Sequence, residues 1–189
     1  MPLRLARTLP AVVCAIAVTA TIAHAQDAGP AALPHVRAAT ADAAELLDEL
    51  IARSPTARDL IDQLDHSDLV VYVRYQLFAT TTLRGRIGFL ESSRPRRLAV
   101  IEIAYRNTWT DQLVALGHEL QHAVEIAGAP LVWDAPSLAA FYGAVGESTG
   151  HAGRSETFET AAAAATGRRV RNELATIAAP AVIAGDDRN

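Results

Sequence analysis

The sequence predicts an α+β protein, and three observations carry that reading. Apolar residues recur at helical spacing up to Leu64, alternate one by one between Leu69 and Tyr105, and return to helical spacing after Asn107. Blocks of helix, strand and helix without βαβ alternation describe a segregated α+β chain rather than a doubly wound one.

Taken in order, residues 1–25 read as an export signal: Arg4 and Arg7 precede an apolar run, Ala11 to Ile22, and Ala23-His24-Ala25 offers an A-x-A cleavage site. The run is too short to cross a bilayer, so no stable membrane anchor is expected. Residues 26–38, with Gly29, Pro30 and Pro34, are expected to form a flexible segment. One domain over residues 39–189 follows. Its first helix spans about Thr40 to Ala52 on the stripe Leu46, Leu47, Leu50 and Ile51, and Ser54-Pro55 caps a second helix ending near Leu64.

Leu69, Val71, Val73, Tyr75 and Leu77 then point one way, as in a half-buried strand. Thr81 to Leu90 and Arg97 to Tyr105 supply two more strands, and an antiparallel three-stranded meander is expected. Thr108 caps a helix closed by Gly128 and Pro130, and a shorter helix runs from about Pro136 to Val145. Gly143, Gly146, Gly150 and Gly153 mark a flexible loop, after which Ser155 caps a last helix from Glu156 to Ile177.

Composition narrows the chemistry. All 17 basic residues are Arg, which excludes Schiff-base and lysine-base mechanisms. The one cysteine, Cys14, lies in the export segment, so neither a disulfide nor thiolate chemistry is expected of the exported chain. A net charge of −4 argues against a nucleic-acid partner. Histidines, carboxylates, hydroxyls or a metal remain.

The helix after Thr108 contains His118-Glu119-Leu120-Gln121-His122. Histidines at i and i+4 share a helix face, so both imidazoles can reach one ion. Glu119 lies about 100° round the helix, beside that ion, where a general base takes a proton from metal-bound water. Val114, Ala115 and Ile126 sit among the polar residues of this face, which marks it as covered rather than solvated.

With its flanks, Leu116-Gly117-His118-Glu119-Leu120-Gln121-His122-Ala123-Val124 resembles the extended signature of zincin metallopeptidases, although Ala115 stands where that signature more often has Val or Thr. Glu125 and Gly128 occupy the positions where the metzincin branch has Gly and His. The resemblance therefore implies a gluzincin-like site, with Zn²⁺ held by His118, His122 and a glutamate from a later helix. Phe158-Glu159-Thr160, followed by small residues, looks like the ligand helix of small gluzincins. Glu159 is the expected third ligand, with Glu156 as runner-up and Glu147 a third candidate.

Glu125 is expected to partner a metal-binding histidine or to sit at the surface, and Asp134 is a further candidate ligand. Tyr142 and His151 are the donors available for a developing oxyanion. Trp109 and Trp133 are expected to pack at the ends of the motif helix. Arg84, Arg86, Arg94, Arg96 and Arg97 are expected to form a solvated basic hairpin, with recognition of an acidic partner as the alternative. The functional expectation is an exported zinc metallopeptidase acting on a peptide or protein in the cell envelope or outside. The alternatives are a zinc-binding module without turnover and an envelope interaction protein.

Overall fold

A computed structural model describes residues 33–93, 95–152 and 155–178, without the side chains of 91–93, 149–152, 155–157 and 177–178. Residues 1–32, including the expected export signal, lie outside the described residues. The fold is α+β, with five helices, a four-stranded sheet and a two-stranded sheet among the described residues.

Val36–Ala38 forms β1 rather than belonging to a flexible segment. Helix α1, Ala41–Arg53, starts where the Thr40 side chain accepts from Ala43 N, and α2, Pro55–Asp65, starts on Ser54 with proline at its first position. Strands β2 (Leu69–Gln76), β3 (Gly85–Ser93) and β4 (Arg96–Ala104) follow.

The sheet has the order β1-β2-β4-β3, which corrects the expected meander: β2 pairs with β4 in parallel, and only β3 and β4 are antiparallel. Residues 77–84 are too long for a tight hairpin. They carry the chain past the end of β4, so β3 takes the outer edge and β4 returns between its neighbours. The burial of β4 fits this central place, since Ala99 to Ala104 are all buried.

One sheet face holds the core. Leu69, Val71, Val73, Ala99, Ile101 and Ile103 are fully buried there, facing Leu46, Leu50 and Leu64 of the first two helices. On the other face, Glu102 is flanked in register by Arg74 of β2 and Arg86 of β3, and both guanidiniums bond its carboxylate. Burial raises the Glu102 pKa, but the two arginines outweigh it and hold the carboxyl below its usual range.

Helix α3, Trp109–Ala127, crosses the core face and buries Leu113, Leu116, Leu120, Ala123 and Ile126. Arg97, expected on a solvated hairpin, is instead 1% exposed. Its guanidinium pairs with Asp68 and donates to the carbonyls of Ile126, Ala127, Ala129 and Val132. These include carbonyls at the end of α3 that have no partner inside the helix. The other hairpin arginines are also engaged: Arg84 with Asp111, Arg86 with Glu102 and Arg96 with His35. Arg94 lies outside the described residues. Trp133 lies under Arg97 at 5.7 Å, whereas Trp109 is 39% exposed and donates to Glu49.

Helix α4, Ala135–Val145, begins at a capping box between Asp134 and Ser137, which accounts for Asp134 away from the histidine pair. The glycine-rich segment expected as a loop forms β5, Glu147–Ala152, paired antiparallel with β6, Ser155–Glu159. The last helix therefore starts later than expected: α5 spans Ala161–Ala178, and Thr160, not Ser155, caps it through Ala163 N.

Candidate metal centre

Three elements bring the site together. Helix α3 carries His118 and His122 one turn apart with their rings edge to face, centroids 4.9 Å apart. The third member of the cluster, Glu159, comes from the last residue of β6 rather than from a helix. Its Oε1 lies 3.5 Å from His118 Nε2 and 4.0 Å from His122 Nε2. The three ligand atoms fall within 4.8 Å of one another. A tetrahedral zinc with nitrogen and oxygen bonds near 2.0 Å would set its ligand atoms roughly 3.3 Å apart, so a small contraction would complete the cage.

Two of the three candidate ligands, His122 and Glu159, are held from behind. His122 is 5% exposed, and its Nδ1 meets Glu125 Oε2 at 2.9 Å. Glu125 Oε1 accepts from the Thr160 hydroxyl at 2.7 Å, and Thr160 N donates to Glu159 Oε1 at 3.0 Å. Thr160 thus caps α5 and links Glu159 to Glu125, the partner of His122. Its place before the alanine run is a helix-start signal that the serine five residues earlier obscured.

Tyr142 is buried, its ring edge-on to His122 at 5.2 Å, and its hydroxyl donates to the His122 carbonyl at 3.1 Å. The same hydroxyl acts on the Glu125 carboxylate that meets His122 Nδ1. The side chains of His151 and Glu156 lie outside the described residues; their backbones pair with each other across β5 and β6. Glu147 is exposed and stands opposite Glu159 in the same ladder.

Glu119 reaches the edge strand and is near enough to His122 and Glu159 for their charges to act on it. A Cβ on Gly85 of β3 would fall 3.0 Å from Glu119 Oε1, so a glycine there lets the strand backbone approach the carboxylate. Glu119 is 6% exposed. Burial, aided by the charges of Glu159 and Glu125 and opposed by His122, pushes its carboxyl up to about 7.

Burial and the neighbouring His122 push His118 down to about 4, so its imidazole stays neutral and able to ligate. Burial also lowers His122, but the Glu125 hydrogen bond and the surrounding carboxylates outweigh it and hold this imidazole above its usual value. Burial raises Glu159, against the pull of His122 and the Thr160 N–H. Carboxylates gathered around two imidazoles offset one another poorly, and a dication would favour the ligating form of all three residues.

Gly117 lets α5 close over this face, and Gly167 of α5 stands against His118. A Cβ on Gly117 would lie 2.7 Å from Val170 Cγ2, and one on Gly167 would lie 3.5 Å from His118 Nδ1. Comparison with protein-family models, with curated proteins and with solved structures finds no match to this chain.

Proposed function

We propose that this chain is a zinc-dependent metallopeptidase, with His118, His122 and Glu159 as metal ligands and Glu119 as general base. The observation that carries the reading is the convergence of the two histidines and Glu159, with the separate Glu119 carboxylate alongside and Glu125 behind His122. A site with three protein ligands leaves a fourth position for water, as a catalytic zinc requires. When bound, the metal would lower the pKa of that water and polarise the scissile carbonyl. Glu119 would take the proton from the attacking water and return it to the leaving amine, and a carboxyl near neutral pKa suits both transfers.

The edge position of β3 supports a zincin-like use of the site. Its outer backbone groups run past Glu119 at Gly85, where an extended peptide could add as a further strand. The third ligand at a strand end departs from the helix-borne glutamate of the gluzincin resemblance. Export to the periplasm or beyond remains part of the proposal, resting on the N-terminal segment.

The test is cleavage of an internally quenched peptide library by zinc-loaded protein beside Glu119→Gln. Hydrolysis that a chelator abolishes, zinc restores and Glu119→Gln reduces by about 10²–10⁴-fold is expected. A Glu119→Gln protein that keeps its zinc and cleaves as fast as the parent would overturn the assignment.

A further inference from the structure

The N-terminal end of α3 carries a distinct cluster of charge. Asp111 lies seven residues before His118 and therefore on nearly the same face of α3, about 10 Å away along the helix. Val114 and Ala115, between them on the helix, are buried, and Gly167 of α5 packs against Val114. The elements on either side of the histidine pair each send an arginine to Asp111. Arg84, which precedes the Gly85 that touches Glu119, reaches it at 3.3 Å, and Arg171, one turn beyond the Gly167 that faces His118, reaches it at 3.0 Å.

The bridge is unbalanced in charge. Two guanidiniums share one carboxylate, and their side chains remain 60% and 46% exposed while Asp111 is 28% exposed. Arg168, one turn back on the same flank of α5, is exposed and close enough for its charge to act on Glu159. A cavity of about 130 Å³ opens at this end, lined in part by Leu83, which adjoins Arg84, and by Asn107, which adjoins the helix cap Thr108. The buried Nδ2 of Asn107 has no hydrogen-bond partner and adds an unused donor. Guanidiniums and an unpartnered amide donor are complementary to an oxyanion, which in an unmodified peptide is a carboxylate.

We propose that the Arg84–Asp111–Arg171 bridge, with Arg168 and Asn107 beside it, is a subsite for a carboxylate of the bound peptide. That carboxylate belongs to an acidic side chain or to the free C-terminus, three or four residues from the bond to be cut. The spacing follows from the 10 Å along α3, the length of about three extended residues, with the cavity just beyond. This rests on the peptidase reading, whose failure the experiment separates from its own.

The experiment measures affinity of fluorescent peptides for zinc-loaded Glu119→Gln protein, so that no turnover is needed. The peptides carry Glu or Gln at each of four positions on either side of a fixed centre, and a C-terminal carboxylate or amide. A preference for acid three or four positions out on one side, weakened by salt, is expected. A preference for carboxylate over amide alone identifies the C-terminus as the source. Arg84→Gln, Arg171→Gln and Arg168→Gln should each cut the acid-to-neutral ratio by about fivefold, the upper range for an exposed pair.

Arg58→Gln, with the same charge change on the distant α2, should leave the ratio as it is. Arg84→Lys, which keeps the charge, separates loss of recognition from loss of the tether. Equal binding of acidic and neutral peptides, or a ratio that survives all three substitutions, overturns the subsite. Acid-selective binding by a parent protein that cleaves nothing would overturn the peptidase reading and leave the subsite standing.

Discussion

At the scale of single residues, the site depends on carboxylates doing different work in different surroundings. Glu159 faces the imidazole nitrogens, Glu119 is buried against the edge strand, and Glu125 stands behind His122. Replacing Glu125 by Gln should lower zinc affinity by about 10- to 100-fold, because the imidazole loses both its orientation and its basicity. Competition with a chromophoric chelator reads this directly, and an affinity equal to the parent's would remove Glu125 from the site. Glu102 makes a separate pH prediction. Its folded pKa is depressed below the ordinary 4.5, so its contribution to stability is complete above that value and lost as pH falls through the lower one. Urea midpoints should therefore fall more steeply for the parent than for Glu102→Gln as pH drops from 5 toward 3; parallel curves would contradict the clamp.

At the scale of elements, the approach of α5 to α3 sets the site. Gly117→Ala would drive a methyl group into Val170 and should destabilise the fold by about 1–3 kcal/mol, with much of the loss recovered in Gly117→Ala/Val170→Ala. Denaturant melts of the two singles and the double give the coupling, and strict additivity would show that the helices do not meet there. The helices were legible in the sequence because Thr40, Ser54 and Thr108 are capping residues placed before periodic apolar runs. The start of α5 was not: Ser155 precedes an equally helix-compatible stretch, and only pairing with β5 draws Ser155–Glu159 into a strand. A short hairpin stabilised by its partner leaves little local signal.

At the scale of the whole molecule, the sheet shows where sequence periodicity stops being informative. Alternation located β2, β3 and β4, yet strand order depends on where residues 77–84 travel, and periodicity does not encode that path. Arg97 illustrates the same limit, since neighbouring arginines in sequence end one in the core and others at the surface. The His118–Glu119–His122 pattern was legible because helix geometry alone fixes it, whereas the choice of Glu159 assumed a helix where the chain forms the end of a strand. If zinc joins α3 to the end of β6, it also ties the small hairpin to the core. Saturating zinc should raise Tm in the parent by an amount that grows with its concentration, and not in His122→Ala.

The measurement that bears most directly on this account is zinc per chain, by elemental analysis of purified protein beside His122→Ala and Glu159→Ala. The account predicts one zinc per parent chain and its loss or marked weakening in both variants. A parent that holds no zinc after reconstitution, or zinc that survives both substitutions, would contradict it.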